Sequence, residues 1–320
     1  MRILFTIAHF FNPSGEGKHA SQRKDPRPRI QALAVAIASL HQVFSKSQCT
    51  IDIGQRVAVP ANQLQSHEID IVICTTSDYH LLDRLLLPAH FYKHHPTQAE
   101  PMLLGFACQE VLRDSLGEYD YYCFLEDDLI ISDPWFFIKL AWFTKLTGTP
   151  HLLQPNRYEV SPQGLVRKAY IDGDLAPRVT APFQNVRIVS NEHPPCRSPA
   201  GNDMGGWIGK REAQRGASRE EPEFQGQVMG SPVIFRRALN PHSGCYFLNG
   251  AQMAHWAEQS YFLDRDTSFV GPLESAATLG IMKTFKIYKP APHNAAFLEI
   301  QHYGNGFLSL IGGQVRLPTD

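Results

Sequence analysis

The sequence lacks the marks of several functional classes. Its six cysteines, Cys49, Cys74, Cys108, Cys123, Cys196 and Cys245, include no C-x-x-C spacing. A zinc ribbon and a thioredoxin-like pair are therefore not expected. Cys74 and Cys123 lie in apolar runs, where a reduced, buried thiol is the expected state. That usage suits a reducing compartment, and a cytoplasmic location is the expectation. Charge of one sign is missing too: 30 Lys and Arg stand against 31 Asp and Glu, a net charge of -1. No cation surplus exists to release counterions, so no nucleic-acid partner is expected. No apolar run approaches the roughly 20 residues of a membrane span. The opening MRILFTIAHFF breaks at Asn12-Pro13 and lacks a small-x-small cleavage site, so it reads as a strand and not a signal peptide. No integral membrane segment is expected, and peripheral membrane association stays open. G-x-S-x-G is absent, which removes a serine-hydrolase elbow. Gly17-Lys18 has no glycine at P-loop spacing. Gly15 to Ala20 fits G-x-G-x-x-A, but Pro26 and Pro28 follow and bar the immediate helix that a dinucleotide fingerprint needs.

The composition present is that of a globular protein, with 43% hydrophobic and 19% charged residues over 320 positions. A chain of that length buries about 75% of its unfolded surface. Strands are expected at 2–8, 50–53, 69–75, 121–125 and 152–154. Helices are expected at 30–44, 81–87 and 106–116, and from Pro134, with Asp133 as N-cap. Continuous apolar strands separated by helices predict an α/β fold, a Rossmann-type, mostly parallel sheet flanked by helices. Such sheets bind ligands beyond the carboxyl ends of their strands. The residues after Ala8, Thr75 and Leu125 are thereby singled out.

From 186 to 232 the chain turns rich in Pro, Gly and mixed charge. This predicts a long loop, either a functional lid or disordered, containing Met204 and Trp207. Order is expected to resume with a strand and helix over 244–256, a helix over 273–280, a strand over 285–288 and a closing element over 297–304. One domain is expected over 1–320. Residues 1–130 form one half of it and 131–320, with the long loop, the other.

The strongest chemical signal is YYCFLEDDLIISDPWFF. Glu126, Asp127 and Asp128 stand between a buried strand and a buried helix, where adjacent carboxylates repel. A divalent cation such as Mn²⁺ or Mg²⁺ compensates that repulsion through hard oxygen ligands. Neighbours in extended chain point opposite ways, so the three cannot all ligate one ion.

This string resembles the metal-binding segment of GT-A-fold glycosyltransferases. It is closest to the EDD variant of the DxD motif in the N-acetylglucosaminyltransferase I group. Glu126, Asp127, Asp128, Leu129, Phe136 and Phe137 fill the matching positions over about 17 residues. The resemblance implies a GT-A-like fold and a nucleotide-sugar donor, UDP-linked by expectation, whose diphosphate is bridged by Mn²⁺ or Mg²⁺. It implies Asp128 as the direct metal ligand, with Glu126 and Asp127 holding the donor's ribose and sugar. It implies a late carboxylate base, for which FVGPLESAATLG supplies Glu274 at a helix start, and hence inverting hexosyl transfer. It also implies a late histidine ligand, for which FLEIQHYGNGF supplies His302, with His293 as the competitor. An imidazole ligand favours Mn²⁺.

The donor pocket is expected after the first strand. There His9, Phe10 and Phe11 offer flat surfaces for a base, and Arg23, Lys24, Arg27 and Arg29 offer cations for phosphates. Asp78 is placed to accept from a uracil N–H or a ribose hydroxyl. Residues 244–250 are expected to form a glycine loop for the acceptor, a saccharide or other hydroxyl compound. A sugar nucleotidyltransferase and a non-catalytic divalent-cation-binding protein are the alternatives. His90, His94 and His95 are read as a solvated face.

Overall fold

A computed structural model describes residues 1–15, 20–162, 166–183 and 224–311. Its main sheet has five strands in the order Cys245–Asn249, Tyr121–Glu126, Arg2–His9, Glu68–Thr76 and Lys93–Thr97. The last four run parallel, and Cys245–Asn249 lies antiparallel at one edge. Side chains alternate across the sheet, as the strand period requires. Ile3, Phe5 and Ile7 pack with Leu33, Phe44 and Phe137 on one face. Leu4 packs with Leu104, Trp256 and Leu279 on the other. The helices Arg27–Phe44 and Phe136–Thr147 cover the first face. Leu104–Asp114, Gly250–Ala257 and Pro272–Thr284 cover the second. The expected class is therefore present: an α/β fold with a mostly parallel sheet flanked by helices.

Several expectations are corrected. The helix expected from 30 begins at Arg27, with Pro26 as N-cap and Pro28 in the first turn. Proline at those positions starts a helix because its missing N–H is not needed there. The strand expected at 50–53 does not join the main sheet. Cys49–Asp52 pairs only with Val57–Pro60 in an exposed hairpin. The helix expected at 81–87 shrinks to one 3-10 turn, Leu82–Arg84, with Pro88 close behind. Residues 244–250 are not a loop, because Cys245–Asn249 is a buried strand of the main sheet. The expected loop 186–232 ends earlier than supposed: Phe224–Val228 and Ser231–Arg237 form a hairpin. The rest of it, with Met204 and Trp207, lies outside the described residues. The edge strand Lys93–Thr97 was not expected at all. Lys, His and Pro on an exposed edge discourage pairing with another chain.

A second sheet places the site. Its order is Lys168–Tyr170, Asn156–Val160, Glu299–His302 and Leu129–Ile130. Leu129 follows the acidic triplet directly and pairs with His302. Among the described residues no helix is long and apolar enough to cross a membrane. Cys49, Cys74, Cys108, Cys123 and Cys245 are free thiols. Cys196 lies outside the described residues.

Candidate functional site

The triplet closes the Tyr121–Glu126 strand at the carboxyl end of the sheet. Its three acids meet three environments, as alternation in extended chain demands. Asp127 turns inward and has no exposed side-chain surface. Its Oδ2 lies 2.5 Å from Nδ1 of His9, which is equally buried. The Leu81 backbone N–H donates to His9 Nε2 at 3.1 Å, so Nδ1 carries the proton and donates to Asp127. His9 thus offers no open ring to a nucleobase. Asp127 is also ion-paired with Arg29. A ligand hydroxyl reaches that carboxylate only by displacing the guanidinium.

Asp128 keeps 15% of its side-chain surface exposed. Arg29 Nη1 donates to its Oδ2 at 2.8 Å. The other oxygen, Oδ1, is buried and has no hydrogen-bond partner. His302 Nε2 lies 3.6 Å from Asp128 Oδ2. The pairing of Glu299–His302 with both Leu129–Ile130 and Asn156–Val160 brings this histidine there. His302 Nδ1 donates to the fully buried Glu159 at 2.9 Å. The backbone N–H groups of Phe307 and Leu308 complete the Glu159 carboxylate. With Nδ1 committed to donation, His302 turns Nε2, the nitrogen that carries the lone pair when the ring is uncharged, toward the carboxylate of Asp128. A lone pair beside a carboxylate calls for a cation between them. A carboxylate fixing the far nitrogen of a metal-bound histidine is the usual arrangement. Asp128 and His302 therefore fit a divalent ion as two protein ligands. Among the described residues no group of three His, Cys, Asp or Glu could hold a metal. Further ligands must come from water or from a bound molecule. The competitor, His293, is exposed in the turn Pro292–Phe297, with no contact to these acids.

Glu126 points to a buried charged network that the sequence did not announce. Its Oε2 lies 3.3 Å from Arg157, and Arg157 holds Asp172 at 2.8 Å. Lys289 Nζ lies 3.3 Å from Asp172 and donates to the His242 carbonyl at 2.6 Å. Burial pushes the Glu126 carboxyl up to about 7 against the pull of Arg157, with Asp128 and Glu274 adding to the rise. Burial, reinforced by Arg157, pushes His242 down to about 3. Asp172 is also buried, but Lys289 and Arg157 hold its carboxyl well below the usual range. Gly244, at φ +62°, makes room for Glu126: a Cβ there would lie 2.5 Å from Glu126 Oε2.

Glu274 stands in the first turn of Pro272–Thr284, half-buried, and its charge is felt at Glu126. That helix is fixed against Leu104–Asp114, where Gln109 Nε2 donates to the Ala276 carbonyl at 2.9 Å. Phe10 packs beside Tyr79, centroids 5.8 Å apart, where the strands Arg2–His9 and Glu68–Thr76 end. Asp78 is exposed next to Tyr79. Phe11 is buried. Arg27 is exposed and ion-paired with Asp25 at 2.7 Å. A cavity of about 640 Å³ opens at the other end of the sheet, beside Arg2, His41, His67 and Glu68. None of the acids above lines it.

The structure thus brings together Glu126, Asp127, Asp128, His9 and His302, with Glu274 within electrostatic reach. Sequence reasoning missed Glu159, Arg157, Asp172, Lys289 and His242, and took Arg29 as one of several loop cations. For the three in strands the available signal was charge set among aromatic and aliphatic residues, as in NRYEV and KIYKP.

The sequence matches no protein-family model and no curated protein. Among solved structures it is similar to apo mouse xyloside xylosyltransferase 1, at 12% identity and TM-score 0.38, over 96% of this chain and 98% of that one. It is also similar to mannose-1-phosphate geranyltransferase from Thermus thermophilus, at 10% identity and TM-score 0.33, over 94% of this chain and 74% of that one. Both likenesses are shallow, and the chemistry of the site stands on its own geometry.

Proposed function

We propose that the chain is a metal-dependent glycosyltransferase of GT-A-like fold, with the EDD form of the metal-binding motif. It would move a hexosyl group from a nucleotide-sugar, a UDP-sugar in the first instance, to a hydroxyl of a saccharide acceptor. The observation that carries this is the convergence of Asp128 and His302. A carboxylate with one buried, unpartnered oxygen faces an imidazole lone pair at the carboxyl end of a parallel sheet. When bound there, Mn²⁺ or Mg²⁺ supplies positive charge against the diphosphate that leaves.

The chain's own residues do the remainder. Phe10, Tyr79 and Asp78 lie where a nucleobase and ribose would rest, beyond adjacent strand ends. His9 holds Asp127, and Asp127 keeps the triplet's backbone oriented. Glu126, braced by Arg157, is placed to accept from sugar or ribose hydroxyls. Glu274 takes the proton of the acceptor hydroxyl as that oxygen bonds to the anomeric carbon and the nucleoside diphosphate departs. A single displacement of this kind inverts the anomeric centre. Residues 1–130 carry the nucleotide side of a single unit, the cytoplasm being its place.

Incubation with UDP-sugars and GDP-sugars, Mn²⁺ and mixed saccharide acceptors tests this. Free nucleoside diphosphate is the expected product. Pyrophosphate release would mark a nucleotidyltransferase instead, and no donor turnover would mark a cation-binding protein.

A further inference from the structure

We propose that Arg29 is an internal counter-cation that competes with the divalent ion for Asp128. Metal is then taken up tightly only when a nucleotide diphosphate draws the guanidinium away. The inference rests on the metal site proposed above.

The guanidinium bridges both aspartates of the triplet. Nη2 is paired with Asp127, and Nη1 lies 2.8 Å from Asp128 Oδ2. That same oxygen is the one 3.6 Å from the His302 lone pair. Arg29 therefore stands on the carboxylate atom that a metal shared with His302 would take. Two cations within about 4 Å of one carboxylate repel, most strongly where water is excluded. Only 13% of the Arg29 side chain is exposed.

Its attachment is also conditional. Arg29 is in the first turn of Arg27–Phe44, at the positive end of the helix dipole. A cation is unfavourable there. The facing carboxylates offset that cost and hold the charge in place. Arg29 Nε is buried with no hydrogen-bond partner, so the guanidinium is not saturated by the aspartates. A diphosphate offers what they do not: several oxygens for a planar fork, and negative charge beside the incoming metal. Asp127 stays behind on His9 when Arg29 leaves. Metal alone must evict a buried guanidinium with nowhere to put it. Metal with diphosphate exchanges partners without leaving a charge unpaired.

Calorimetric titration of Mn²⁺ into the full chain, with and without UDP, tests this in wild type, Arg29→Gln and Arg29→Lys. For wild type, UDP should tighten Mn²⁺ at least about tenfold, within the usual range of coupling between two ligands. Arg29→Gln should bind Mn²⁺ alone about tenfold more tightly than wild type, and its gain from UDP should shrink. Its metal-free melting temperature should fall, and Mn²⁺ should restore it. Mn²⁺ alone binding Arg29→Gln no tighter than wild type overturns the proposal. If Arg29→Gln does not fold, Arg29→Lys decides: a point charge cannot bridge both aspartates, so Mn²⁺ alone should still tighten, and unchanged affinity overturns the proposal. Mn²⁺ binding by wild type with UDP, lost in Asp128→Asn, keeps the metal site whatever the Arg29 variants do. Failure of wild type to bind Mn²⁺ even with UDP sinks the site and this inference together.

Discussion

His302 has one nitrogen committed and one to give. Glu159 takes its Nδ1 proton, and the ring's remaining lone pair is aimed at Asp128. Removing the orienting carboxylate should therefore loosen metal without touching a ligand. Glu159→Ala is expected to lower Mn²⁺ affinity about 10–100-fold, measured by calorimetry in the presence of UDP. An unchanged affinity would show that His302 does not bind through Nε2. Asp128 and His302 were singled out through the resemblance of their segments to GT-A glycosyltransferases, which rests on local sequence alone. Glu159 was not, because its partner is 143 residues away and only strand pairing joins them. His9 misled for a related reason. A histidine at a strand end reads as an open ring, and only the fold shows both nitrogens taken.

Strands, turns and their register decide the electrostatics around Glu126. The turn at Gly244 gives up a side chain so that this carboxylate can lie against the Cys245–Asn249 strand. Gly244→Ala meets both a positive φ and a 2.5 Å approach to Glu126 Oε2. It should cost about 1–3 kcal/mol in urea denaturation and displace Glu126 from Arg157. The network also sets the pH response. His242 has its pKa pushed from 6.5 down to about 3. The stability gained by keeping it neutral is complete above pH 6.5 and is lost as pH falls toward 3. Glu126 acts oppositely. Between 4.5 and about 7 the folded chain keeps a proton that the unfolded chain has released, so its contribution falls as pH rises. Between pH 4.5 and 6.5 the two oppose each other. His242→Gln removes one side, so between pH 6.5 and 5 its stability should gain on wild type by up to about 1.4 kcal/mol per pH unit lowered. Parallel pH profiles for the two proteins would contradict this. At this scale the sequence was legible where strands are apolar on both faces, as in IDIVICT. It was opaque where the chain lies at an edge. Lys93–Thr97 carries no apolar alternation because one side of it meets water, and the hairpin at Cys49 reads like a core strand although its apolar residues are exposed.

The whole chain gathers its chemistry at one end of the main sheet. Acids from the middle of the sequence and a histidine from near its end meet beyond the carboxyl termini of the strands, with the helix start at Glu274 within electrostatic reach. That convergence follows from the parallel arrangement, which the alternation of strands and helices had already predicted. Glu274 belongs to this scale, since its role depends on how the helix Pro272–Thr284 is set against the rest. Glu274→Gln should leave UDP-sugar binding intact and lower turnover at least about 100-fold, read as nucleoside diphosphate released. Near-normal turnover would pass the role of base to another group. The central claim is that a divalent ion held by Asp128 and His302 grips a nucleotide's diphosphate. Titration of UDP into wild type and Asp128→Asn, each with and without Mn²⁺, tests it most directly. Wild type should bind UDP at least about tenfold more tightly with Mn²⁺ than without, and Asp128→Asn should lose that difference. Equal UDP affinity with and without the ion, or a Mn²⁺ effect that survives in Asp128→Asn, would contradict it.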